Sequence, residues 1–185
     1  MSEKKFALTF LALYAILILT SLGDPAMTLS IGRLFMGSNV DLFFSLVPYG
    51  IVSILLAYLT FVAKETRARR FLFLMIMSVV LFFIVRYLNG EREKMHLTEF
   101  AFLGALIFWS ATVWGSKRRT AYLFVAAAGS ITVGLDELIQ TSLSLKLFSM
   151  RDILINSMAV ALGAVLYGGL FLNSTKEAEE AEASP

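Results

Sequence analysis

An all-α fold, a polytopic bundle of membrane-spanning helices, is what the sequence predicts, and three observations carry that prediction. The chain of 185 residues is 58% hydrophobic and only 16% charged, too apolar for a soluble domain of its size. Its apolar residues gather in runs of about 20, the length a helix needs to cross the hydrocarbon core. None of the runs shows the short inside–outside alternation of a barrel strand, and backbone groups in lipid must be paired, so each run is read as a helix. Six runs qualify: Phe6 to Leu22, Leu42 to Ala63, Phe71 to Leu88, Leu97 to Trp114, Ala121 to Leu143 and Ile153 to Leu172.

The first run follows the basic start MSEKK and is longer than the apolar core of a secretory signal, so it is expected to stay as a span. Between the first and second runs, Met27, Leu29, Ile31, Leu34 and Phe35 form either a short helix lying in the outer interface or an irregular loop. Lys4 and Lys5 precede the first run; Lys64, Arg67, Arg69 and Arg70 follow the second; Lys117, Arg118 and Arg119 follow the fourth; Lys176 follows the sixth. These ten cations share one side, against five on the other, Arg33, Arg92, Lys94, Lys146 and Arg151. The bias orients both termini into the cytoplasm. After the sixth run the tail NSTKEAEEAEASP is acidic and lacks bulky apolar residues, which predicts a disordered end over residues 173–185.

Several function classes drop out early. A formal charge of +2, with the cations clustered between apolar runs, does not suggest a nucleic-acid partner. Without a cysteine there is no disulfide, thiolate metal site or cysteine nucleophile. Motifs of P-loops, Rossmann folds and nucleophilic hydrolases are missing, and no metal is expected, because the single His96 has no paired histidine at a ligand spacing.

What remains is a set of polar residues inside the second half of the chain. His96 and Glu99 sit three apart at the start of the fourth span and share a helix face, with Gly104 beyond them to admit a neighbouring helix. Asp136, Glu137 and Gln140 lie in the last turns of the fifth span, Asp136 roughly 10 Å inside its outer end. The sixth span opens with Asp152, Asn156, Ala159 and Gly163, spaced four, three and four, a stripe that turns from polar to small. Arg86 near the outer end of the third span, and Lys146 and Arg151 at the bend, are the cations nearest this acidic group in the expected topology. An ionised side chain at mid-membrane costs about 2.5–3.5 kcal/mol on insertion scales, so such a cluster needs partners or water, and usually a task.

At these residues the chain resembles the VanZ-like family of bacterial membrane proteins. The matches are His96, Glu99 and Phe100, then Asp136, Glu137 and Gln140, then Lys146, Asp152, Asn156 and Gly163, over about Phe71 to Gly169. Phe100 stands where the family usually carries a hydroxylated aromatic, and Lys146 where it carries Arg, which keeps the charge and loses the planar fork. The resemblance divides the chain into a two-span module over 1–63, a VanZ-like four-span module over 64–172 and the tail. It implies a multi-pass protein of a bacterial inner or plasma membrane, with a teicoplanin-related role and no settled chemistry or cofactor.

Three functions are compatible with these residues. In the first, an outward-facing pocket binds a membrane lipid headgroup, a lipid-linked cell-wall precursor or a glycopeptide; Arg86, Lys146 and Arg151 meet anionic groups, and Gln140, Asp152 and Asn156 complete the ligand-binding set. In the second, a membrane enzyme uses His96 and Glu137 as acid and base on a lipid-linked or phosphorylated substrate, with Glu99 and Asp136 as the further candidate catalytic carboxylates. The third is a small proton-coupled transporter. Against all three stands a purely structural reading, in which the same groups hold the fifth and sixth spans in register.

Overall fold

The structure is a computed structural model that describes residues 3–23, 34, 39–62, 68–88, 90–143 and 147–171. Among the described residues the chain is all-helical. Helix α1 spans Glu3–Gly23 and α2 Val40–Ala57, the latter continuing as a π-helical stretch, Tyr58–Val62. Then follow α3 (Ala68–Tyr87), α4 (Glu91–Val113), α5 (Arg118–Ser142) and α6 (Met150–Leu170). Helices α3 to α6 are each long and apolar enough to cross a membrane. The interfacial segment proposed around Met27–Phe35 lies outside the described residues except for Leu34, which is exposed, and the acidic tail and Lys146 also lie outside them.

Each apolar run of the sequence coincides with one helix. The largest departure is at α4, which starts at Glu91 instead of Leu97. Hydropathy marks where a helix meets lipid, whereas the helix itself extends through the polar turn before it. In that turn Lys94, Met95, His96 and Leu97 are all buried, so every side of it is covered.

The chain divides into two compact units, one of residues 29–98 and one joining residues 1–28 to 99–185. In the first unit α2 packs on α3. Leu74, Met77, Leu81 and Val85 recur at three- and four-residue steps and form the buried face of α3. Its other sides are also apolar: Leu72, Met75, Ile76, Val79, Phe82 and Phe83 are exposed. A helix apolar all round is the pattern of one surrounded by lipid or protein. Within α2, Pro48 has no N–H to give the fourth carbonyl before it, a loss tolerated in membrane helices where neighbours re-satisfy the backbone.

The second unit is a bundle of α1, most of α4, α5 and α6. Helix α1 runs antiparallel to α4: Phe6 meets Trp109 edge-on with centroids 6.2 Å apart, and Tyr14 meets Phe102 at 4.9 Å. The Tyr14 hydroxyl donates to the Glu99 carbonyl at 3.0 Å. Where α4 crosses α6, two glycines remove the side chains that would hold the backbones apart. A Cβ on Gly104 would lie 2.7 Å from the Val160 carbonyl carbon, and one on Gly163 would lie 2.5 Å from that of Ala101. The two contacts are reciprocal, each helix supplying one glycine and one carbonyl, which is how small residues let membrane helices pack by van der Waals contact.

Helix α5 shows a single buried stripe along its whole length: Ala121, Val125, Gly129, Val133, then Asp136, Glu137 and Gln140. The stripe is apolar and small until its last turns, where it becomes polar. Helix α6 faces it, and its own first buried residues are Ile155 and Asn156. At the far end, about 21 Å of helix away, Phe108 packs on Tyr122 and Tyr167 with centroids 4.7 and 6.0 Å apart.

Candidate functional site

The polar centre is built by the closing turns of α5 and the opening turns of α6. Asp136, Glu137 and Gln140 are 0%, 1% and 0% exposed, and Asn156 is 3% exposed, so all four are inside the protein and not on a lipid-facing surface. Gln140 lies one turn after Asp136, and its amide donates to Asp136 Oδ1. Asn156 reaches across from α6 and donates its amide to Asp136 Oδ2 at 3.2 Å. One carboxylate thus takes an amide on each oxygen, one from its own helix and one from its neighbour. The Asn156 bond ties α6 to α5 at this turn.

Glu137 has a different task. Ser149 is the N-cap of α6, and its side chain accepts the Asp152 N–H at 3.2 Å. In a capping box the residue at the position of Asp152 would turn back to accept the N–H of the cap itself. Here the acceptor of the Ser149 N–H is Glu137 Oε1, at 2.6 Å, supplied by the preceding helix. A carboxylate also sits favourably against the partial positive charge of a helix start. The start of α6 is therefore capped by two side chains, its own Ser149 and Glu137 of the preceding helix.

Ser149 is the residue that reasoning from polar side chains missed. The signal was present as Ser149–Met150–Arg151–Asp152, the S-x-x-D pattern of a helix start. Tyr14 was also missed, and no local pattern would have found it, because its partner Glu99 is 85 positions away.

The other described site residues lie on α3, α4 and α6. Asp152 is half-buried and Arg151 exposed, both in the first turn of α6. Glu99 is half-buried on α4. His96 and Arg86 belong to the unit of residues 29–98. There His96 is buried and its Nε2 accepts from Arg92 Nε at 3.4 Å, one turn before it on α4. Arg86 is exposed in the last turn of α3. The geometry thus joins Asp136, Gln140 and Asn156 directly, and Glu137 through Ser149 to the turn that carries Asp152. Among the described residues no three acidic or histidine side chains gather in a metal-holding group.

Chemically, the centre offers carboxylate acceptors and amide donors in a closed setting at the junction of two apolar helices. No protein-family model, curated protein or solved structure matches the chain.

Proposed function

We propose that this chain is a VanZ-like envelope protein of a bacterial inner or plasma membrane, with six spans, both termini in the cytoplasm, and the α5–α6 polar centre beneath the outer surface. In this reading the centre and the bend above it receive the polar part of an envelope molecule: a lipid headgroup, a lipid-linked cell-wall precursor, or a glycopeptide directed at one. The observation that carries the proposal is the burial of two adjacent carboxylates, Asp136 and Glu137, with two carboxamides at one helix junction. Registration of two helices needs one such pair, and interhelical hydrogen bonds in membranes average only about 0.6 kcal/mol. Two carboxylates cost more to bury than that returns.

The donor and acceptor sets point to the class of ligand. Carboxylates and amide carbonyls accept from hydroxyl, ammonium and peptide N–H groups, the groups displayed by sugars, aminated headgroups and short peptides. In this reading Arg151, exposed at the start of α6, meets a phosphate of the ligand.

The test uses Asp136→Asn and Glu137→Gln, which keep shape and remove charge. Cells carrying either variant are expected to respond to teicoplanin like cells lacking the protein, with the variant present in the membrane at wild-type abundance. Arg151→Ala is expected to weaken the response in part. Full response from both carboxylate variants would rule the ligand reading out, and loss of folding in both would assign the centre to structure alone.

A further inference from the structure

Outside the polar centre, α5 and α6 form a second feature on their exposed side, a groove of about 280 Å³. Its walls include Tyr122, Ala126, Gly129, Ser130, Ala161 and Val165, and no charged residue lines it. Ala126, Ser130, Ala161 and Val165 are exposed, so the groove is open along its length to whatever surrounds the helices. It exists because small residues face each other there. Gly129 accepts the Val160 side chain, a Cβ on it lying 2.6 Å from Cγ1, and Ala126 and Ala161 leave the space above that contact empty.

A cationic group stands at one end. The Arg118 guanidinium carbon lies 6.0 Å from the ring centroid of Tyr122, which lines the groove, and Lys117 and Arg119 flank Arg118 in sequence. All three are exposed. Because α1 is antiparallel to α4, Lys4 and Lys5 lie at the same end of this unit, beside one carboxylate among the described residues, Glu3. From Tyr122 to Ser130 the trough runs about 12 Å along α5.

An apolar trough that begins at a cluster of cations matches the two ends of an anionic lipid. We propose that the groove binds one anionic phospholipid, with an acyl chain against Ala126, Gly129 and Ala161 and the phosphate at Arg118. A second copy of the chain fits less well. Pairing through the groove about an axis along the membrane normal would bring two sets of Lys117, Arg118 and Arg119 together, and like charges in apposition are costly. The acidic tail that follows α6 carries anions able to meet the same cations, but it has no bulky apolar residue to fill the trough.

The experiment reconstitutes the full chain in vesicles of phosphatidylglycerol and phosphatidylcholine, extracts it gently, and weighs the protein with retained lipid by native mass spectrometry. Wild type is expected to retain phosphatidylglycerol over phosphatidylcholine. Arg118→Ala should lower that retention about fivefold, the worth of one cation near an anionic surface. Ala161→Leu, which adds bulk only at an exposed position, should abolish it, and Leu138→Ala, exposed on α5 beyond the groove, should leave it near wild type. Equal retention of both lipids, no effect of Arg118→Ala, or unchanged retention in Ala161→Leu would each overturn the proposal. So would a wild-type dimer that Ala161→Leu dissociates, which would make the groove an interface between copies.

Discussion

Asp136 is the residue on which the polar centre turns, because its side chain is bonded by side chains of both helices. Its two oxygens take Gln140 from α5 and Asn156 from α6. Removing the carboxylate leaves two buried amides without their acceptor, while removing Asn156 leaves Gln140 in place. The losses should therefore not add. A double-mutant cycle of Asp136→Ala and Asn156→Ala, read from reversible unfolding in mixed micelles, is expected to give a coupling energy of about 0.6–1.7 kcal/mol, the range seen for interhelical bonds in membranes. A coupling of zero would mean that the Asp136–Asn156 contact does not hold the helices. The sequence made the ingredients of this contact visible, since Asp136, Gln140 and Asn156 stand out against apolar surroundings. It did not reveal that Glu137 points elsewhere. Asp136 and Glu137 are neighbours in the chain, yet a helix turns by about 100° per residue, so one faces the α6 side chains and the other the α6 backbone.

Helices were the most legible level, for a physical reason. A span must be apolar over its full thickness of lipid, so hydropathy alone outlines α3, α5 and α6 closely. The start of α4 was less legible, because its first turns are polar and buried. Pairing between helices was legible only where small residues marked it. Gly104 and the stripe ending in Gly163 suggested close approach, and both lie at the α4–α6 crossing. That crossing makes a sharp prediction. In Gly163→Ala the new methyl group meets the Ala101 backbone, which cannot swing aside as a side chain would. The helices must separate, and overpacking of this kind costs about 1–3 kcal/mol. Gly134 on α5 serves as the control, since a Cβ there meets nothing within 4 Å. Gly134→Ala should be neutral or stabilising by up to about 1 kcal/mol, from helix propensity alone. Thermal unfolding in the same detergent compares the two, and equal midpoints would show that the crossing is not in van der Waals contact.

For the whole molecule, orientation decides what every site can reach. Within the unit that holds α1, α4, α5 and α6, Lys4, Lys5, Lys117, Arg118 and Arg119 all lie at the end where α5 begins. The described cation near the other end, at the α5–α6 bend, is Arg151. Lys and Arg near span ends favour the cytoplasm, so α5 should start inside and finish outside, carrying the polar centre toward the exterior and the groove's cationic mouth toward the cytoplasmic leaflet. That leaflet is the one in which anionic headgroups would meet Arg118, and the exterior is where a cell-wall precursor or glycopeptide would arrive. Both functional readings therefore depend on one orientation. The absence of native cysteine makes that orientation directly measurable. Leu147→Cys, at an exposed residue of the bend, is expected to react with a membrane-impermeant maleimide added to intact cells, and Lys117→Cys only after the membrane is opened. The reverse pattern would turn the polar centre to the cytoplasm and remove its access to any extracellular ligand.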